Sequence, residues 1–156
     1  NRFVESIRDM KDIEGYVIGV GDGNFTKHKT DWYKLKHSLK DQIDSDKKLY
    51  MCVANEMHDD IRADYFDDAY LITRIDKMEQ IVRKIFSDFH HRVHDFFDAN
   101  KHLDRKSFAI KAQKEIDKLY FGSVMNLYLG KDVDEKEWVC KNYDQFDVEQ
   151  KMYFNT

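Results

Sequence analysis

One carboxylate and two ammonium groups stand at spacings that suit phosphate chemistry. Glu14 precedes the run Tyr16-Val17-Ile18-Gly19-Val20, and Lys27 and Lys29 follow the turn residues Gly21-Asp22-Gly23-Asn24. The first run is rich in β-branched and aromatic residues, a strand signal, and Phe25-Thr26-Lys27-His28-Lys29 reads as the returning strand of a hairpin. Alternate residues of a strand share a face. Lys27 and Lys29 therefore project together, with Phe25 beside them and Thr26 and His28 opposite. Two lysines neutralise phosphate oxygens, and a carboxylate nearby binds Mg²⁺ directly or through water. The three together can hold a polyphosphate and its divalent metal. An ordinary Glu–Lys pair across a surface hairpin has the same composition.

Two other constellations carry less chemistry. Gly19-Val20-Gly21-Asp22-Gly23 lacks the full spacing of a dinucleotide-binding loop and no helix follows it, so the hairpin turn is the better reading. His90-His91-x-x-His94 sits on a long helical stretch, and His90 and His94 are one turn apart and able to share a metal. No glutamate stands between them as in H-E-x-x-H, no cysteine is near, and three histidines beside an apolar seam are more often a boundary patch.

Helices must position most of the chain. Proline is absent from the 156 residues, and hydrophobic residues make up 42% and aromatics 14%, enough apolar bulk for a core despite 36% charged residues. Phe3, Val4, Ile7 and Met10 mark a short amphipathic helix over residues 1–12, and Thr30 or Asp31 caps a helix beyond the hairpin. Shorter helices are expected over residues 47–57 and 59–65. The strongest signal runs from about residue 68 to residue 99. There Leu71, Ile75, Met78, Val82, Ile85, Phe89, Val93 and Phe96 form an apolar stripe at spacings of 4, 3, 4, 3, 4, 4 and 3. Asp104 opens a helix expected to reach Leu119, residues 121–129 form another closed by Gly130, and Asp134 opens a last one through Tyr143. Residues 144–156 read as a polar tail. The fold class expected is mainly α, with a short β-hairpin and an all-helical C-terminal domain.

Charge is uneven. The net of 26 Lys/Arg against 30 Asp/Glu is −4. Residues 1–40 carry 8 basic and 6 acidic side chains, and the rest carry 18 and 24. Trp32, Tyr33 and His37 interleave with Lys27, Lys29, Lys34, Lys36 and Lys40, which suits phosphate contact with base stacking. A basic face for RNA would draw on Lys34, Lys36, Lys40, Arg105, Lys106 and Lys111. The two cysteines, Cys52 and Cys140, read as reduced core thiols of a cytosolic protein. No apolar run is long enough to span a membrane.

Ile13-Glu14-Gly15-Tyr16-Val17 resembles motif IV of the covalent nucleotidyltransferases, and Lys27-His28-Lys29 resembles their motif V. With Thr30-Asp31-Trp32-Tyr33, Asp64-Tyr65-Phe66-Asp67-Asp68-Ala69-Tyr70, Asp104-Arg105-Lys106-Ser107-Phe108-Ala109-Ile110-Lys111-Ala112-Gln113 and Met125-Asn126-Leu127-Tyr128-Leu129-Gly130, the chain is similar to the C-terminal part of the ATP-dependent phage RNA ligase 1 family. This resemblance implies an incomplete nucleotidyltransferase sheet in residues 1–30, a helical tRNA-specificity domain over residues 31–143 and a tail over 144–156. It implies catalytic roles for Glu14, Lys27 and Lys29, with Glu14 on Mg²⁺ and the lysines on the ATP phosphates. Expected partners are RNA, above all a tRNA with a broken anticodon loop, and an upstream nucleotidyltransferase half. The location expected is the cytoplasm, of the host cell if the chain is phage-encoded. The family's nucleophilic lysine lies in a K-x-D-G motif, and no K-x-D-G occurs in this sequence. The chain alone is therefore expected not to ligate. The alternative is a stand-alone helical module that binds RNA or protein without catalysis.

Overall fold

The computed structural model describes residues 5, 6, 8, 10, 11, 13–21, 23–41 and 43–154, with the side chains of Val20, Trp32, Leu35, Lys36 and Leu39 outside that description. The helix expected over residues 1–12 rests on Phe3, Val4 and Ile7 and lies outside the described residues, as does Asp22 of the turn. The rest is mainly helical with one antiparallel hairpin, the fold class the sequence indicates. It divides into two compact units, Asn1–Leu49 and Tyr50–Thr156.

In the first unit, strand β1 (Gly15–Val20) pairs with strand β2 (Asn24–Lys29), and helix α1 (Asp31–Asp41) follows at once. Gly23 turns the chain at φ +85°, a conformation that glycine adopts without steric cost. The register sets Gly15 opposite Lys29, Val17 opposite Lys27 and Gly19 opposite Phe25. Gly15 is fixed by close approach, because a Cβ there would lie 2.1 Å from the His28 carbonyl oxygen.

Thr30 joins hairpin to helix. It is fully buried, and its hydroxyl accepts from the Tyr33 amide at 3.1 Å while donating to the Ile13 carbonyl at 2.6 Å. Its amide donates to the Glu14 carbonyl at 3.0 Å. Thr30, rather than Asp31, thus provides the cap. These bonds staple the hairpin to α1, and helix α2 (Asp46–Ala54) follows.

The second unit continues with α3 (His58–Asp64) and α4 (Ala69–His90). A single π-helical turn (His91–Asp95) and α5 (Phe96–Asn100) prolong α4. After them come α6 (Arg105–Glu115), α7 (Lys118–Tyr128), α8 (Glu135–Lys141), a 3₁₀ turn (Tyr143–Gln145) and α9 (Val148–Tyr153). Asp68, Asp104, Asp117 and Asp134 each accept a backbone amide at a helix start. The expected helix from Asp104 through Leu119 is broken. Ile116 is extended and Asp117 captures the Leu119 amide, so Leu119 belongs to α7. Gly130, at φ +70°, closes α7 in a Schellman arrangement, with Lys131 N–H on Asn126 O and Gly130 N–H on Leu127 O, each at 2.9 Å.

The expected stripe forms the inner face of α4 and the π turn. Leu71, Ile75, Met78, Val82, Ile85, Phe89 and Val93 are all buried. Phe89 and Val93 join Phe108, Ala112, Tyr120 and Val124 in one cluster, flanked by Trp138 and Tyr128. Trp138 stacks on Tyr120 with centroids 5.0 Å apart, and Phe108 stacks on Tyr128 at 4.3 Å. Over residues 144–154 the expected tail is packed and largely helical. Phe146, Val148 and Met152 are buried, because apolar side chains recur there at helical spacing. Cys52 is buried, Cys140 is half-buried, and both are free thiols. No helix among the described residues is long and apolar enough to cross a membrane.

Candidate functional site

The hairpin gathers the charged residues that the sequence singles out. Motif residue Glu14 leads into β1, where the backbone bond from Thr30 to its carbonyl fixes it. Its Oε1 accepts a hydrogen bond from Lys27 Nζ at 2.8 Å across the turn, with both side chains about half exposed. The hydrogen bond from Lys27 holds the Glu14 carboxyl below its usual range, and a hydrogen bond with Tyr33 and the charge of Lys29 act in the same direction. The same bond pushes the Lys27 ammonium above its usual value. Lys29 Nζ lies 5.0 Å from the centroid of the Tyr33 ring, a cation–π distance. Glu14, Lys27 and Lys29 are therefore neighbours on one side of the hairpin.

Tyr33 completes the group, and sequence reasoning took it only as an interleaved aromatic. Partial burial raises its phenol first, and the Glu14 charge raises it further. Its ring also meets His37 edge-on, with centroids 4.3 Å apart. The signal that finds Tyr33 is the cap. With Thr30 at the helix boundary, Tyr33 stands three residues on, on the first turn and back toward Glu14. Thr30 and Gly15 serve the site too, one by pinning the strand to the helix and the other by allowing the strands to meet.

The candidate RNA contacts are divided between the two units. Lys34 is exposed and paired with Asp31 at 3.3 Å, and Lys40 is exposed in the last turn of α1, where a cation complements the helix dipole. The Lys36 side chain lies outside the described residues. Arg105 and Lys106 are exposed in the first turn of α6, Lys111 is half-buried, and all three belong to the second unit. Cations at a helix N-terminus oppose the dipole, so Arg105 and Lys106 gain nothing from that term.

A mixed-charge cleft of about 940 Å³ opens in the second unit, lined by Glu56, His58, Glu79, Arg83, Glu135 and Lys136 among others. Glu79 takes hydrogen bonds from Arg62, at 3.0 Å, and from Arg83. His58 is buried, with Nε2 3.8 Å from Glu79 Oε1 and no hydrogen-bond partner at Nδ1. No local motif announces this cleft, since its lining comes from distant parts of the sequence.

Residues 40–153 match the family model of the T4 RNA ligase 1 C-terminal domain. The chain belongs to that family. Its match to the T4 RNA ligase 1 C-terminal domain starts in the last turns of α1 and runs through α9, so it takes in the helix within the presumed tail. Arg105, Lys106 and Lys111 fall inside it. Glu14, Lys27 and Lys29 precede it, so their assignment rests on the hairpin geometry and on the motif resemblance.

Proposed function

We propose that this chain provides the polyphosphate grip and the RNA-recognition domain of an ATP-dependent RNA ligase that joins 5′-phosphate and 3′-hydroxyl ends in tRNA repair. The observation that carries this reading is the 2.8 Å pairing of Glu14 with Lys27, beside Lys29 and Tyr33, in a chain of the T4 RNA ligase 1 C-terminal family. Lys27 and Lys29 hold the ATP phosphates. With nucleotide bound, Lys27 exchanges its carboxylate partner for a phosphate oxygen, and a charge-assisted bond replaces another of its kind. Glu14 is the residue that would hold Mg²⁺, and the ion would neutralise charge on the phosphate oxygens. The donor set fits: an exposed carboxylate suits a hard cation, and two adjacent ammonium groups suit phosphate.

The nucleophile that attacks the α-phosphate is absent from the 156 residues, since they hold no K-x-D-G. An upstream nucleotidyltransferase half would supply it: its lysine would displace pyrophosphate from ATP to give the lysyl-adenylate, AMP would pass to the RNA 5′-phosphate, and the 3′-hydroxyl would displace AMP as the ends join. The exposed apolar residues Val17 and Phe25, 63% and 75% exposed, support a hairpin that joins further strands. Lys34, Lys36, Lys40, Arg105, Lys106 and Lys111 contribute phosphate contacts to the RNA.

The test is sealing of a tRNA cut in its anticodon loop by the ligase that combines this chain with its nucleotidyltransferase half. Glu14→Ala and Lys27→Ala should each abolish sealing, and full activity in both would remove the assignment. RNA affinity of the 156-residue chain should fall with salt and with charge reversal at Lys34 and Lys36. An affinity indifferent to salt would leave a protein-interaction module as the better reading.

A further inference from the structure

We infer that His90, His94 and Glu135 form a zinc site in the helical unit, separate from the hairpin chemistry. The histidines come from the end of α4 and from the π turn, and the glutamate from the first position of α8. One ligand atom from each lies within 4.8 Å of those of the other two. Glu135 Oε1 is 2.8 Å from His94 Nε2 and 3.7 Å from His90 Nδ1. A tetrahedral zinc with bonds near ~2.1 Å sets its ligand atoms about 3.4 Å apart. The separations present, 2.8 Å, 3.7 Å and no more than 4.8 Å, straddle that spacing.

Two further features single the place out. The first is the π turn, His91–Asp95. π-helical turns are rare, strain the helix and concentrate at functional sites. Here the turn begins between the two histidines, and their rings lie stacked, tilted by only 21° with centroids 4.8 Å apart. The second is His94 Nε2, which is closed to solvent and near Glu135 Oε1 yet makes no hydrogen bond. An enclosed imidazole nitrogen and a carboxylate oxygen, two donor types that zinc takes, thus stand side by side.

Two imidazoles and a carboxylate suit Zn²⁺, and soft thiolate metals and hard oxygen-preferring ones are poorer matches. Three protein ligands leave a fourth position for water. Glu135 also lines the mixed-charge cleft, so the ion would stand at its edge. Bound there, it would tie the π turn to the start of α8, two segments far apart in sequence.

The test uses the metal-free 156-residue chain titrated with Zn²⁺ alone, with Co²⁺ as a visible probe. One ion per chain should bind, Tm should rise with free Zn²⁺, and Co²⁺ should give the visible absorption of a four- or five-coordinate site. His90→Ala, at an exposed position that should not disturb folding, and Glu135→Gln should each weaken binding about tenfold or more. His91→Ala should leave it unchanged, because His91 points to Asp95 instead, with Nδ1 2.8 Å from Oδ2. Absence of one-to-one binding overturns the proposal. So does equal loss in the His91 variant, or wild-type affinity in a folded His90 variant.

Discussion

Phe25 on the hairpin is 75% exposed, whereas Phe108 in the helical unit is wholly enclosed. The hairpin has two strands, a half-exposed ion pair and a single buried threonine at its base. The helical unit stacks Phe89, Phe108, Tyr120, Tyr128 and Trp138 into one another and caps its helices with aspartates. Stability is therefore concentrated where the candidate nucleotide chemistry is not. A two-stranded ribbon is marginal by itself, and it leaves Lys27 free to change partner.

Substitutions can break this contrast in order of size. Phe108→Ala should cost about 3–5 kcal/mol of unfolding free energy, measured by urea denaturation, because it empties the centre of the aromatic cluster. Gly15→Ala should unpair the strands. Forcing a Cβ against the His28 carbonyl costs about 1–3 kcal/mol, enough for an isolated ribbon, and cross-strand NMR contacts between Val17 and Lys27 should disappear. Thr30→Val should cost about 0.5–2 kcal/mol through the lost cap, seen as faster amide exchange at Tyr33. If Thr30→Val instead lowered the stability of the helical unit as much as Phe108→Ala, the two regions would not be energetically distinct.

The smallest effect is on the ion pair. Folding lowers the Glu14 carboxyl, so its contribution is complete above the unfolded value and is lost as pH falls through the lower folded value. Folding raises Lys27, so that contribution is complete below the unfolded ammonium value and is lost as pH rises through the higher folded one. An NMR titration of the Glu14 carboxyl should show a depressed midpoint that Lys27→Met moves upward. An unmoved midpoint would show that Tyr33 and Lys29 hold the carboxylate without Lys27.

The same contrast sets how far the sequence could be read. The hairpin face was legible because side chains alternate strictly, so Lys27 and Lys29 had to share a side. The α4 stripe was legible because every buried position from Leu71 to Val93 keeps helical spacing. The π turn was not expected, and its trace is the pair of consecutive fours at Ile85, Phe89 and Val93. The break at Ile116 was hidden by apolar residues that continue the helical period across it, and Asp117 decided otherwise. Thr30 was legible as a cap, but the part Tyr33 plays beside Glu14 was not, because it depends on how the helix is anchored to the strands. Glu135 was out of reach for His90 and His94, because only the packing of α8 brings it there.

Cys52 offers a clock for these experiments. Its thiol is 5% exposed on α2, and burial pushes its pKa up, so both access and thiolate are suppressed in the native state. With Cys140 replaced by serine, a maleimide reagent will modify it only through openings of its surroundings, at the opening rate when labelling outpaces reclosing, which times those excursions without any added label site.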